Sequence, residues 1–196
     1  MDYLLHDKTY KVVEQIGKYF FKYIILNNSK RQTIQDNIHR AGNRITGCGW
    51  GWSLMHECTA HGFNLAVQLL LDKGMNIDAI CNSGTSLIVV VEYGHLKTVE
   101  LLLNSGSKVE AKRKDSTTAL CIAVSNGYEQ CVELLLKKGA NTEAQWKGQT
   151  PLLIAVIHGH ESIVQLLLDR GANIEVQSSM GIPLIEACWG GSEGII

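Results

Sequence analysis

The chain has 196 residues, of which 45% are hydrophobic, and a formal net charge of -1 at pH 7. The charge is unevenly divided, since residues 1–48 carry eight Lys/Arg and four acids, whereas residues 49–196 carry ten and fifteen. Neither part has the concentrated basic surface that phosphate binding needs, so we expect no nucleic-acid partner.

The first predicted element is an amphipathic helix between Tyr10 and Leu26. Its apolar residues recur at three- and four-residue steps and therefore share one face, which normally packs against a core. The alternative is a basic helix lying on a membrane surface. No apolar run is long enough to cross a bilayer, and residues 1–8 lack the apolar core of a signal peptide. We therefore expect no membrane association and a cytoplasmic location, with the nucleus as the alternative.

From residue 48 onward the sequence repeats every 32 or 33 residues, which is the period of a solenoid. One leucine-type position marks the copies: Met55, Leu87, Leu120, Leu152 and Leu184. The first four copies each hold two glycines that follow helical patterns: Gly62, Gly74, Gly94, Gly106, Gly127, Gly139, Gly159 and Gly171. Because glycine readily takes the positive φ that ends a helix, the pattern predicts two helices per copy.

The fourth copy resembles the ankyrin repeat. The matching residues are Thr150-Pro151-Leu152, Ala155, Gly159-His160, Leu166-Leu167-Leu168 and Gly171-Ala172-Asn173. This resemblance to the ankyrin repeat family covers residues 48–196. It implies an all-α solenoid of helix-turn-helix units with β-hairpin fingers, and typically the binding of another protein.

We divide the chain into an N-terminal helical cap at residues 1–47, where a degenerate repeat could lie, and an ankyrin array at residues 48–196. The array has four full repeats and a truncated fifth. Because the fifth copy stops at the beginning of its outer helix, we expect residues 182–196 to be loosely held. We also expect the chain to be a fragment, and an effector domain beyond Ile196 in a regulatory or substrate-adaptor protein is the alternative function.

Ser53, Thr85, Thr118 and Thr150, which precede the inner helices, are predicted N-caps. The leucine triplets of the outer helices are predicted core. The family's Thr-Pro-Leu-His element appears in full nowhere, and only His56 keeps the histidine. We therefore expect weaker hydrogen bonding between fingers.

No motif predicts a catalytic, cofactor or metal site. The six cysteines form no Cys-x-x-Cys pair, and Cys58, Cys131 and Cys188 are predicted small buried hydrophobes. His56 and His61 are five residues apart and do not share a helix face, unlike the ligands of a zinc protease. We expect no enzyme, no cofactor and no small-molecule substrate.

Lys112-Arg113-Lys114 is the only dense basic cluster of the array. Because Glu110 and Asp115 flank it, we interpret it as a solvated loop. A nuclear-import signal or a patch for an acidic partner is the alternative.

The sequence thus predicts a non-enzymatic intracellular scaffold that binds a protein partner on the concave face of the array. All four tryptophans fall in the predicted binding set, and tryptophan is common at interface hot spots. Tyr93 and Trp146 are placed at its centre, because Trp50, Trp52 and Trp189 could instead pack against the ends of the array. The predicted residues are Trp50, Trp52, His61, Tyr93, Lys114, Asp115, Trp146, Lys147, His158 and Trp189.

Overall fold

The computed structural model describes residues 54–72 and 74–174, which are mostly helical. The helices are α1 (Leu54–Ala60), α2 (Asn64–Asp72), α3 (Ser86–Glu92), α4 (Leu96–Asn104), α5 (Ala119–Ser125), α6 (Glu129–Lys137), α7 (Pro151–Ile157) and α8 (Glu161–Asp169). A two-stranded antiparallel sheet, β1 (Ile80–Cys81) and β2 (Gly84–Thr85), lies between α2 and α3. The predicted cap at residues 1–47, the truncated repeat at residues 182–196, and Cys188 lie outside the described residues, as do Trp50, Trp52, Ser53 and Trp189.

The helices pack in two layers. The odd-numbered helices α1, α3, α5 and α7 contact one another in succession and form an inner layer. The even-numbered helices do the same in an outer layer, and each inner helix also packs on the outer helix that follows it. Each unit therefore buries its apolar surface against its neighbours, as a repeat array does.

The inner helices are buried almost all round. Every residue of 86–91, 119–124 and 151–156 is buried. A helix enclosed by neighbours on several sides must be apolar on all of them. The small residues Ala123 and Ala155 are fully buried here, which lets adjacent inner helices approach closely.

The outer helices bury only one stripe. The middle leucine of each triplet, at Leu70, Leu102, Leu135 and Leu167, is at most 4% exposed. The prediction that the leucine triplets belong to the core is therefore confirmed at these positions. Acidic and polar residues on the opposite side of these helices face solvent.

The predicted helix ends are largely confirmed. All eight glycines predicted to end helices in residues 54–72 and 74–174 have φ between 66° and 88°. The Thr118 and Thr150 hydroxyls accept capping hydrogen bonds from Cys121 N and Leu153 N. Thr85 occupies the predicted N-cap position of α3, but its buried hydroxyl does not form the expected capping hydrogen bond.

Side-chain hydrogen bonds connect consecutive repeats. Asp78 Oδ1 accepts from Lys108 N at 3.0 Å, Glu110 Oε1 from Asn141 N at 2.9 Å, and Glu143 Oε1 from Asn173 N at 3.0 Å. These three carboxylates therefore each hold the backbone of the next repeat.

A second set of bonds involves the position of the family histidine. His56 Nε2 donates to the Gly84 carbonyl at 3.2 Å. At the equivalent position, the Cys121 thiol donates to the Ala144 carbonyl at 3.5 Å. A thiol is a weak donor, so the bond between repeats is retained at Cys121 in weaker form.

Candidate functional site

Arg113 joins the hairpin before α5 to the end of helix α3. Its Nη2 lies 2.7 Å from Glu92 Oε2, and its Nε donates to the Ser83 carbonyl at 2.9 Å. The Arg113 side chain is only 22% exposed. The interpretation of this cluster as a solvated loop is therefore wrong for Arg113, which is a structural link between repeats.

The link places the hairpin before α5 beside the C-terminal end of α3. Ile80 occupies the position of Arg113 in the preceding hairpin, and Ile157 occupies the position of Glu92 in α7. Both isoleucines are exposed, at 68% and 42%. We call the surface formed by Ile80, Tyr93, residues 112–115, residues 146–147 and Ile157 the finger face.

Tyr93 is the most exposed aromatic residue of the finger face. It is the C-cap residue of α3, its backbone N–H donates to Val89 O, and its side chain is 57% exposed. Helix α3 holds its backbone while the ring extends beyond the buried core. This arrangement presents a large amphipathic side chain whose backbone is fixed.

His61 and His158 occupy the positions equivalent to Tyr93 in the first and fourth repeats, and Asn126 occupies it in the third. His61 pairs with Glu57 Oε1 at 3.2 Å and stacks on Phe63, with ring centroids 5.5 Å apart. His158 Nδ1 donates to the Ile154 carbonyl at 2.8 Å. Both rings are engaged by their own repeats, which leaves Tyr93 as the best available apolar anchor among the three rings.

Trp146 is less exposed than the sequence suggested. Its ring is half-buried and packs on the hydrophobic core. The indole N–H is buried and forms no hydrogen bond of ordinary geometry, although the indole contributes to lowering the pKa of Asp115. Lys147 Nζ lies over the indole at 4.8 Å from the ring centroid. Trp146 thus supports the hairpin as well as lining the finger face.

The Trp146 hairpin ends in a strained turn. Trp146 and Gln149 exchange two backbone hydrogen bonds of 3.0 Å around Lys147 and Gly148, whose φ values are 53° and 76°. Positive φ at both central residues is the type I′ hairpin turn, which favours Asn-Gly. Lys147 therefore takes a backbone conformation that a lysine rarely adopts.

Lys114 and Asp115 lie at the tip of the preceding hairpin, and both are exposed. Lys114 Nζ is 3.5 Å from Asn82 Oδ1 of the hairpin before it. Asp115 Oδ1 accepts from Thr117 Oγ1 at 2.5 Å and from Thr117 N at 3.1 Å. The Thr117 hydroxyl, with smaller effects from the Thr117 N–H and Arg113, lowers the pKa of Asp115, so the carboxylate is ionised at neutral pH.

The sequence analysis missed two residues of this region, Ile80 and Ile157, and it did not predict that Glu92 pairs with Arg113. Ile80 carried a recognisable signal, because a strand alternates its side chains and the neighbouring Cys81 is buried. The Glu92–Arg113 pair had no such signal, since the two residues are separated by 21 positions and by helix α4.

The cysteines and histidines are built into the repeats. Cys58 and Cys131 are buried free thiols, as predicted. Burial raises the pKa of Cys58 to about 12, so the thiol is protonated and a poor nucleophile. His56 is fully buried within α1, whereas His61 is exposed in the turn that follows α1. The two histidines therefore do not converge on one site.

In the part of the chain that the structure describes, no helix has the length and apolar character needed to span a bilayer.

Comparison with known proteins agrees with this architecture. The family described as ankyrin repeats (3 copies) matches residues 12–113 and 105–178. No curated protein shows significant similarity to the chain. The first match begins inside residues 1–47, and the domain boundary at residue 47 stays a prediction. With most of its length matched and its helices paired in successive repeats, the chain belongs to the ankyrin repeat family.

Proposed function

We propose that the chain binds another protein through the finger face. Ankyrin repeats are generally protein–protein interaction modules. The observation that carries the proposal is the 57% exposure of Tyr93 directly beside the Glu92–Arg113 link. Aromatic residues with a fixed backbone are favoured interface anchors, because little conformational entropy is lost when they bind.

The other exposed apolar residues of the finger face support the same proposal. A single exposed isoleucine is ordinary on a protein surface. Ile80, however, lies in the hairpin before α3, and Tyr93 and Ile157 occupy adjacent positions at the C-terminal ends of α3 and α7, so exposed apolar residues recur near hairpins and inner-helix ends. A partner that runs along the array could therefore cover them together.

We further propose that the protein is non-enzymatic and cytoplasmic. The buried thiols and the histidines that bond to carbonyl groups of adjacent repeats have structural roles that account for their presence. Buried free cysteines suit a reducing compartment.

The proposal is tested with Tyr93→Ala and a matched control, Leu65→Ala. Leu65 lies on outer helix α2 and is 81% exposed, so its truncation also removes exposed apolar surface, but on the other layer. Proteins captured by the full chain from cell lysate should be quantified for both variants. We expect recovery of the bound proteins to fall about tenfold or more with Tyr93→Ala and to stay unchanged with Leu65→Ala. The reverse pattern would assign binding to the outer layer and refute the proposal.

A further inference from the structure

The hairpins of the finger face carry unpaired positive charge. Lys112, Lys114 and Lys147 are exposed, and none of them forms an ion pair with a residue in 54–72 or 74–174. The carboxylate among them, Asp115, already accepts two hydrogen bonds from Thr117. Lys114 contacts Asn82 and Lys147 lies over Trp146, but both of these partners are neutral, so the three positive charges are not neutralised by them.

The outer helices carry a net negative charge, which the exposed C-cap residues Lys138 and Arg170 reduce but do not reverse. Helices α2, α4, α6 and α8 contain two lysines and six acids. The two lysines are Lys97 and Lys137, and the acids are Asp72, Glu100, Glu129, Glu133, Glu161 and Asp169. A ligand with negative charge is therefore directed towards the hairpins and away from the outer helices.

The carboxylates at the bases of the hairpins are engaged by the next repeat. Glu110 and Glu143 accept backbone N–H groups from Asn141 and Asn173. Within residues 54–72 and 74–174, neither of them forms an ion pair with Lys114 or Lys147.

Lys147 has a defined position at its hairpin tip. Its φ of 53° lies in the left-handed region, where asparagine or glycine would be less strained. Ser116 of the preceding hairpin has a similar φ of 67°, so positive φ is a feature of the turns in both hairpins. The position of the ammonium group over Trp146 at 4.8 Å gives the strained lysine a defined place on the finger face.

We propose that the partner segment recognised by the finger face is an extended acidic peptide with an apolar side chain. Its carboxylates contact Lys114 and Lys147, and its apolar side chain packs on Tyr93. The inference rests on the proposed function, because it specifies the chemistry of a partner on the same surface. Complementary charge would raise the association rate and fix the register of such a segment.

The test uses the full chain and fluorescein-labelled peptides of about twelve residues, long enough to cross two or three hairpins. In the acidic probe, leucines are interspersed among glutamates. In the neutral and basic probes, glutamine and lysine replace the glutamates. By fluorescence polarisation at about 0.1 M salt, we expect the acidic probe to bind at least about tenfold more tightly than the neutral one, and the basic probe most weakly.

Two charge-reversal variants locate the binding. Lys114→Glu with Lys147→Glu should weaken binding of the acidic probe about tenfold or more. The control, Lys97→Glu with Lys137→Glu, makes the same change in net charge on the outer helices and should change the affinity by no more than about twofold. Equal effects of the two pairs would mean that only net charge matters and would overturn the inference.

A separate variant distinguishes loss of binding from loss of fold. Lys147→Asn relieves the strained turn, so it should raise the melting temperature while it weakens binding of the acidic probe. A variant that is more stable and still binds with unchanged affinity would overturn the role of Lys147.

The remaining outcomes separate this inference from the proposed function. If the neutral probe binds as tightly as the acidic one and Tyr93→Ala abolishes both, the finger face binds proteins but does not select acidic ones. If no probe binds, or if single-stranded DNA of about twelve nucleotides binds more tightly than the acidic probe with a steep salt dependence, the acidic-peptide inference is refuted.

Discussion

Gly127 packs directly against the ring of His160 in the next repeat. A Cβ atom at Gly127 would lie 2.8 Å from His160 Cε1. The His160 ring in turn approaches the Ser125 carbonyl, with Nε2 at 3.5 Å. Gly62 has the same relationship to His95, at 2.9 Å. Glycine is therefore needed at these positions for close approach between repeats as well as for helix termination.

The first prediction compares Gly127→Val with Gly139→Val. At Gly139, φ is 88° and no atom lies within 4 Å of an added Cβ, so only backbone strain opposes the substitution. We expect Gly139→Val to lower the free energy of unfolding by about 1 to 2 kcal/mol. Gly127→Val adds overlap with His160 and should cost about 2 to 4 kcal/mol. Urea denaturation measures both values.

His160→Ala supplies the control for this comparison. In the Gly127→Val background, His160→Ala removes the overlapping ring and should restore the stability that Gly127→Val loses beyond the loss of Gly139→Val. A double-mutant cycle detects this recovery as a coupling free energy between positions 127 and 160. Equal losses for the two glycine variants, with no coupling to His160, would contradict the contact.

The second prediction concerns Ala155, which is fully buried in α7 between α5 and α8. Ala155→Leu should overpack this junction and lower the free energy of unfolding by about 1 to 3 kcal/mol. Ser162→Leu on the exposed side of α8 is the control and should change it by less than about 0.5 kcal/mol. An unchanged melting temperature for Ala155→Leu would show that the assigned repeat register is wrong.

The sequence predicted features that depend on local pattern. The helical period predicts that Leu135 is buried, and the pattern of helix termination predicts the glycine at position 139. Both signals depend only on residues that are close in the sequence. The state of Trp146 was not predictable in this way. Composition identifies tryptophan as an interface residue, but its half-buried ring depends on how one hairpin folds back onto the core.

The same distinction explains the other differences. The capping role of Thr118 follows from its place before a helix, and it is confirmed. Thr85 has the same place, and the backbones of both threonines pair with their hairpins, yet the Thr85 hydroxyl forms no hydrogen bond. A sequence pattern identifies the candidate cap, whereas the geometry of each junction decides whether the bond forms.

The third prediction is a loss of stability in mild acid caused by His56. Burial, partly offset by the bond to the Gly84 carbonyl, holds the pKa of His56 below its usual 6.5. As the pH falls through 6.5, the unfolded chain therefore takes up a proton before the folded chain does, and the free energy of unfolding decreases. This contribution is fully present above pH 6.5, and it is lost as the pH falls towards the lowered pKa of the folded state.

Melting temperatures measured between about pH 7.5 and pH 5 test this contribution. His56→Gln removes the titrating ring, so the melting temperature of the variant should fall less steeply as the pH is lowered. At neutral pH the variant should be less stable than the unmodified protein. Parallel curves for the two proteins would show that His56 does not cause the acid sensitivity.

The fourth prediction separates the two aromatic residues of the finger face. Trp146 is half-buried on the core, so Trp146→Ala should lower the free energy of unfolding by about 2 kcal/mol. Tyr93→Ala removes a ring that is 57% exposed and should change it by less than about 0.5 kcal/mol. Thermal melts of both variants should therefore be recorded before binding is interpreted. A similar small change for both would show that Trp146 contributes little to the core.

The fifth prediction tests whether the Glu92–Arg113 pair holds the hairpin to helix α3. Glu92→Ala removes a partner that is 44% exposed, so we expect a loss of no more than about 1 kcal/mol. Arg113→Ala also removes the bond to the Ser83 carbonyl and should cost about 1 to 2 kcal/mol. The double-mutant cycle should give a coupling of about 0.5 to 1 kcal/mol, reduced at about 0.5 M salt because the pair is partly exposed. A coupling of zero at low salt would mean that the pair does not join these elements, and the hairpins and inner-helix ends would then lack the link that defines the finger face.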